Sequence, residues 1–152
     1  MIRRADFQHE GTAIRSLIDE YVAWLDFDLC FQNFDGEMRN LATVYGAPAG
    51  AFFVAEIDGE LAGCVGLRAL ADGTCEMKRL YVRPAYQGRG LGRGLVVALI
   101  ACARELGYAR VVLDAAPKTL AAQELYKALG FRETASYRAS PIAGTRFFEL
   151  VL

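Results

Sequence analysis

Glycines stand at every second position from Gly88 to Gly94, a short loop after a strand-like segment and at the start of a long helical pattern. Glycine is a poor helix former, and each one in a first helical turn costs about 1 kcal/mol relative to alanine. A helix start exposes unpaired backbone N–H groups and the positive end of the helix dipole, and glycines leave room beside them for an anion. The run therefore predicts a phosphate-binding turn. The alternative is a turn that only packs the helix against the strand.

Basic residues accompany this turn. Between Glu76 and Arg93 the chain carries five basic residues against one acid, whereas the whole protein has a net charge of −1. The basic residues are Lys78, Arg79, Arg83, Arg89 and Arg93. This local charge favours a polyphosphate ligand. Two common phosphate loops do not fit, because the nucleotide P-loop needs a lysine after its last glycine, and the dinucleotide fingerprint starting at Gly88 would put its third glycine at Arg93.

The segment Gln87 to Gly92 instead resembles the signature of the GNAT superfamily of N-acetyltransferases, which is Gln or Arg, two free positions, Gly, a free position, and Gly or Ala. Two further segments strengthen this resemblance. EMKRLYV (76–82) is similar to the family's fourth strand, and AAQELYKALGF (121–131) is similar to its second conserved block. The matching parts cover about 75–131. One departure is Ala121, where many members carry an asparagine that binds the cofactor.

The resemblance implies a cofactor, acetyl-CoA. In the family, the fourth strand offers its backbone to the pantetheine arm, and the N–H groups of the signature bind the pyrophosphate. The implied cofactor residues are Leu80, Tyr81, Val82, Gln87, Gly88, Arg89, Gly90, Leu91, Gly92 and Arg93.

Glu76 is the predicted general base. At pH 7 only about one molecule in a thousand of a lysine-like amine is neutral, so a group must take its proton before it attacks a thioester. Glu76 stands eleven residues before Gln87, the offset at which one branch of the family places its base. Two alternatives stay open: a water takes the proton, or Glu76 is a surface residue paired with Lys78 or Arg68.

Tyr126 is the predicted general acid. A tyrosine hydroxyl can protonate or hydrogen-bond the departing thiolate, and Tyr126 in the LYKALGF segment matches the family's usual acid. The alternative is ordinary packing, since Ala122, Tyr126 and Leu129 share a helix face.

The acceptor is specified less closely. Residues 1–37 contain eight acids and three arginines, which favours a cationic amine, whereas arginines on the later strands favour a carboxylate. The predicted substrate residues are Tyr21, Trp24, Phe27, Arg68, Arg79 and Tyr137. The aromatic ones have core packing as an alternative role, and the arginines solvation or a cofactor contact. We expect a small free amine, with a protein N-terminus or lysine as the alternative.

The elements that position these residues follow from hydrophobic spacing. We predict strands at 2–4, 51–57, 61–70, 75–82, 109–114, 132–137 and 145–151, and helices at about 14–25, 37–44, 91–106 and 119–129. The order is β-α-α-β-β-β-α-β-α-β-β. It predicts an α+β fold with a mixed central sheet of about seven strands flanked by about four helices. This order agrees with the fold that the resemblance implies, a single GNAT-type domain spanning 1–152.

Composition limits the other function classes. A slightly acidic chain has no general attraction for nucleic acid, and the single glycine-arginine segment does not make an RNA binder. The longest apolar run, Leu95 to Ala103, is less than half a membrane span, and no signal peptide is visible. We expect a cytoplasmic protein without a membrane partner. Four separated cysteines and one histidine predict no metal site. A homodimer and a non-catalytic acetyl-CoA-binding module of the same fold stay open.

Overall fold

A computed structural model describes residues 1–26 and 34–152. The strands in this part of the chain are β1 (Ile2–Arg4), β2 (Ala51–Ile57), β3 (Glu60–Ala71), β4 (Thr74–Val82), β5 (Arg110–Ala115), β6 (Arg132–Thr134) and β7 (Arg146–Val151). They form one sheet in the order β1-β2-β3-β4-β5-β7-β6. The β4–β5 pair is parallel, and the other neighbours are antiparallel. The predicted α+β fold with a mixed seven-stranded sheet is confirmed.

Helices cover both faces of this sheet. They are α1 (Phe7–Leu25), α2 (Phe34–Arg39), α3 (Leu41–Val44), α4 (Leu91–Glu105) and α5 (Leu120–Ala128). On one face, Ile14 and Leu17 of α1 and Leu41 of α3 pack with Val54 in a buried cluster. On the other face, α4 and α5 cover a second cluster that contains Leu99 and Tyr126. None of the described helices is long and apolar enough to cross a membrane.

Three element boundaries differ by more than two residues from the sequence predictions. The helix predicted at about 14–25 begins at Phe7, because the Asp6 side chain caps it by accepting from the backbone N–H groups of Gln8 and His9. The helix predicted at 37–44 is divided into α2 and α3 at Asn40, whose φ and ψ are not helical and whose side-chain amide donates to the Gly36 carbonyl at 2.9 Å. A side chain that bonds locally competes with the helix ladder. The strand predicted at 132–137 ends at Thr134, because Tyr137 turns away to bond Glu76.

The centre of the sheet opens between β4 and β5. The two strands pair through Thr74, Cys75 and Glu76, and then β4 runs on to Val82 and β5 to Ala115. Within β4 a bulge shifts the register against β3 near Arg79, which has a φ of 61°. A bulge bends its strand and re-aims its side chains. The split and the bulge together create the space in which the site lies.

Candidate functional site

A cleft of about 470 Å³ follows the free edge of β4 from the split to the start of α4. Its walls are β4, the turn that precedes α4, the end of α1 and the start of α5. Eight of the ten predicted cofactor residues line it: Leu80, Tyr81, Val82, Gln87, Gly88, Gly90, Leu91 and Gly92. The other two, Arg89 and Arg93, are exposed beside it, and the Arg89 guanidinium lies 5.4 Å from the centre of the Tyr86 ring.

The turn before α4 has the form that an anion site requires. Gly88 and Gly90 have φ values of 79° and 78°, which L side chains rarely adopt. A Cβ added to either would meet no atom within 4 Å. Gly90 caps α4 without a side-chain hydrogen bond, so the first N–H groups of the helix face an open, positively polarised space. These residues fit a pyrophosphate.

Three of the five basic residues between Glu76 and Arg93 lie away from the turn before α4. Arg79 pairs with Glu37 and is buried. Lys78 is also buried, on the other side of the split. Arg83 donates from Nε and Nη2 to Glu20. Of the five basic residues, Arg89 and Arg93 therefore lie beside the turn before α4, because β4 turns the other three toward α1, α2 and the split.

A second cavity of about 50 Å³ lies where β4 and β5 separate. Tyr21 and Leu80 line both this cavity and the large cleft, so the two spaces meet there. Tyr126 reaches the small cavity from α5, and its ring packs between Phe131 and Phe148 with centroid distances of 5.7 and 6.0 Å.

The environment of Tyr126 keeps its hydroxyl protonated. Burial raises the pKa of Tyr126 well above the ordinary value of 10.0, and Tyr21 and Asp114 add to this rise. A hydroxyl in this state offers a hydrogen-bond donor at every physiological pH.

Glu76 is fully buried and held from three directions. Its Oε1 accepts from Arg68 Nε at 2.9 Å, and its Oε2 accepts from the Tyr137 hydroxyl at 2.5 Å and from Arg138 Nη2 at 2.6 Å. Burial alone would raise the pKa of Glu76, but the charge of Lys78, followed by Tyr137 and the two arginines, outweighs it and holds the pKa below 4.5. The carboxylate is therefore ionised and engaged.

The predicted substrate residues fall into three groups. Tyr21 and Trp24 line the large cleft, and Trp24 contacts Lys118 across it through its ring and its carbonyl. Arg68 and Tyr137 contact Glu76, as described above. Arg79 lines the small cavity. The sixth predicted residue, Phe27, lies outside the described residues.

Two charged residues of the small cavity were missed from the sequence as site residues: Lys78 and Asp114, which line it together with Ser140 and Thr145. A signal existed for Lys78, because it shares a strand face with Glu76 two positions earlier. Burial and the charge of Arg79 lower the pKa of Lys78 to about 8. Asp114 interrupts an apolar strand near the end of β5.

The sequence and the fold are similar to those of known acetyltransferases. The sequence profile of the acetyltransferase (GNAT) family matches residues 14–131. An uncharacterized N-acetyltransferase of Schizosaccharomyces pombe is 41% identical over 138 residues, which cover 90% of this chain and 85% of the relative. An acetyltransferase structure from Streptococcus agalactiae has a TM-score of 0.81 at 22% identity, covering 100% of this chain and 98% of its own. YncA of Salmonella typhimurium, solved with acetyl-CoA as its cofactor, has a TM-score of 0.71 at 27% identity, covering 99% and 92%.

Proposed function

Because this chain belongs to the GNAT family of acetyltransferases, we propose that it transfers the acetyl group of acetyl-CoA to the primary amine of a small molecule. The class of enzyme and the donor follow from the family and from the neighbour that binds acetyl-CoA. The small amine and the roles of single residues are the proposed part. One observation carries it: the large cleft and the small cavity meet at Tyr21 and Leu80, so a donor in one and an acceptor in the other have their reacting ends together.

The chain's own groups suit the donor. Acetyl-CoA, when bound, supplies the thioester whose acetyl group is transferred. The N–H groups from Gln87 to Arg93 hold the pyrophosphate, with Arg89 and Arg93 adding charge at the outer side of the turn. Leu80, Tyr81 and Val82 present the unpaired edge of β4 to the pantetheine arm, as an added strand would require.

Tyr126 stabilises the thiolate that leaves during the reaction. Attack by the amine breaks the carbon–sulfur bond and leaves a thiolate, which needs a proton or a hydrogen bond. Tyr126 is the hydroxyl-bearing residue that α5 contributes to the small cavity. Its raised pKa suits a donor that stays protonated. Since that pKa lies far above a thiol's, the hydroxyl stabilises the developing charge mainly by hydrogen bonding.

The amine's proton goes to a water rather than directly to Glu76. Of these two alternatives, the contacts of Glu76 favour the water, because both carboxylate oxygens already accept charge-assisted hydrogen bonds and the pKa is lowered. A carboxylate with a lowered pKa is a weak base. In this proposal Glu76 holds Arg68, Tyr137 and Arg138 around the acceptor.

The test is release of the coenzyme A thiol in the presence of a panel of small primary amines, alongside peptides with a free N-terminus or an internal lysine. Turnover of small amines with kcat/KM at least about tenfold above the peptides is expected. A melting-temperature rise with acetyl-CoA alone controls for donor binding, because a ligand selective for the native state stabilises it. Turnover of peptides only would refute the small-molecule acceptor.

A further inference from the structure

We propose that Tyr21 is a further catalytic residue, whose hydroxyl donates a hydrogen bond to the carbonyl oxygen of the acetyl group during transfer. This role differs from the contact with the acceptor that the sequence predicted for Tyr21. The proposal rests on the proposed function, since it takes the junction of the large cleft and the small cavity as the place of the reacting thioester. Tyr126 then contacts the sulfur of the thioester, and Tyr21 contacts its oxygen.

Tyr21 lies at the point where the two spaces meet. It lines both the large cleft and the small cavity, as Leu80 of β4 does. The side chain of Leu80 is aliphatic, so of these two side chains only that of Tyr21 can donate a hydrogen bond. Because the proposed pantetheine arm follows β4 inward as far as Leu80, its thioester end lies next to Tyr21.

The ring of Tyr21 lies against the large cleft, and its hydroxyl is directed toward the small cavity. The ring packs with those of Trp24 and Tyr81 at centroid distances of 6.4 and 5.8 Å, and both of these residues line the cleft. The groups whose charges act on the hydroxyl include Arg79 and Asp114, and both line the small cavity. The hydroxyl therefore faces the space from which the amine attacks.

The two tyrosines approach the junction from opposite faces of the sheet. Tyr21 belongs to α1, which packs on one face, and Tyr126 belongs to α5 and the cluster on the other. The split lets both hydroxyls act in the same space, where Tyr21 contributes to the raised pKa of Tyr126. A thioester carbon carries its oxygen and its sulfur as separate substituents, so hydroxyls that arrive from opposite sides can each bind one of them.

The surroundings of Tyr21 suit a donor to a developing negative charge. Burial raises the pKa of Tyr21 to about 12, Arg79 opposes this rise, and Asp114 adds to it. The hydroxyl therefore stays protonated at neutral pH, and the nearby Arg79 guanidinium favours negative charge beside it. The contacts with Trp24 and Tyr81 fix the ring, and a donor that is already in place needs no reorganisation during the reaction.

The hydrogen bond acts while charge is present on the oxygen. The lone pair of the amine nitrogen forms the new carbon–nitrogen bond, and an electron pair of the carbonyl moves onto its oxygen. Tyr21 stabilises this charge and keeps its own proton. The electron pair then returns, the carbon–sulfur bond breaks, and its electrons leave on the sulfur beside Tyr126, while the amine's proton goes to water.

Infrared spectroscopy of bound acetyl-CoA tests the proposal without turnover. A hydrogen bond to a carbonyl oxygen weakens the C=O bond and lowers its stretching frequency. Difference spectra are recorded with acetyl-CoA that carries an isotope label at the acetyl carbonyl, bound without an acceptor to the wild type, to Tyr21→Phe and to Tyr126→Phe. We expect the frequency of Tyr21→Phe to lie above that of the wild type, and the frequency of Tyr126→Phe to equal it.

Single-turnover rates give a second readout. Removing one donor of this kind costs about 10²- to 10³-fold in kcat, so Tyr21→Phe should lower the rate by about that factor while the Kd of acetyl-CoA changes much less. Tyr108→Phe is the matched control, because that hydroxyl donates to the Ala49 carbonyl away from both cavities. Its carbonyl frequency and its rate should equal those of the wild type.

Each outcome decides. An equal carbonyl frequency in folded Tyr21→Phe and in the wild type would overturn the proposal and leave acetyl transfer standing. A rise in Tyr126→Phe as large as that in Tyr21→Phe would overturn the separation of the two roles. Failure of the wild type to bind acetyl-CoA would overturn the proposed function as well. Should Tyr21→Phe fail to fold, a fluorotyrosine at position 21, with the fluorine next to a more acidic hydroxyl, should lower the frequency below the wild-type value, and an unchanged frequency would overturn the proposal.

Discussion

Arg79 and Glu37 form a buried bidentate ion pair that ties α2 to the bulge of β4. Arg79 Nε and Nη2 donate to the two carboxylate oxygens at 2.9 and 2.8 Å, and both side chains are less than 5% exposed. The Tyr45 hydroxyl donates to the same carboxylate at 2.9 Å. Arg79 occupies the left-handed region at the bulge, which costs a non-glycine residue about 1 kcal/mol or more. The pair holds this conformation where the two cavities meet.

Glu37→Gln should therefore lower stability strongly. Breaking a buried pair from one side costs about 3–5 kcal/mol, because the other charge stays buried without compensation. For a chain of this length that corresponds to a fall in Tm of about 10 °C. Glu20→Gln is the matched control, since its pair with Arg83 is partly exposed and worth less than about 1 kcal/mol. Equal Tm values for the two variants would contradict this prediction.

The same pair should give stability a dependence on acid pH. Burial raises the pKa of Glu37, but Arg79 outweighs burial and lowers it below 4.5. A depressed pKa contributes stability that is present above the unfolded value of about 4.5 and is lost as the pH falls through the folded value. Urea unfolding between pH 6 and pH 3 should show a smaller loss of unfolding free energy in Glu37→Gln than in the wild type.

Gly92→Glu should abolish acetyl-CoA binding without unfolding the protein. Gly92 lies in the first turn of α4, and its φ is not positive, so a side chain is tolerated by the backbone. The nearest atom to an added Cβ is 3.8 Å away. A carboxylate there would repel the pyrophosphate. Calorimetry should show Kd raised at least about 10²-fold, with Gly92→Ala, which adds no charge, within about tenfold. Unchanged affinity in Gly92→Glu would mean that the phosphates bind elsewhere.

Tyr126→Phe should lower kcat by about 10²-fold and leave the Kd of acetyl-CoA unchanged. The ring and its packing remain, while the hydrogen bond to the developing thiolate is lost. The low end of the acid–base range is expected because a thiol with a pKa near 8.5 already leaves fairly readily. Tyr108→Phe is the control, since that hydroxyl donates to the Ala49 carbonyl away from both cavities. If the single-turnover rate of Tyr126→Phe stays above about a third of the wild-type rate, Tyr126 has only a packing role.

The glycine turn before α4 could be predicted from sequence because it is local. Its glycines, its position between strand and helix, and its flanking segments all lie within a few residues. The acceptor side could not be predicted in the same way. Arg79 and Glu37 are 42 residues apart, and the bulge breaks the alternation that would place Lys78 and Arg79 on opposite faces. Tyr137 reaches Glu76 only because its strand ends early. Such contacts depend on tertiary packing.

Glu76→Gln should affect stability more than chemistry. Glutamine keeps the shape of the Glu76 side chain but replaces one acceptor oxygen by an NH₂ donor. In place of Oε1 this NH₂ group would face the Arg68 donor, and in place of Oε2 it would face the donors of Tyr137 and Arg138. Tm should fall by several degrees, while kcat of the folded variant at pH 9 stays within about fivefold of the wild type. The Tm of Tyr137→Phe, which removes one hydrogen bond only, should lie between the Tm of the wild type and that of Glu76→Gln. A loss of kcat at every pH, with Tm unchanged, would instead make Glu76 the base.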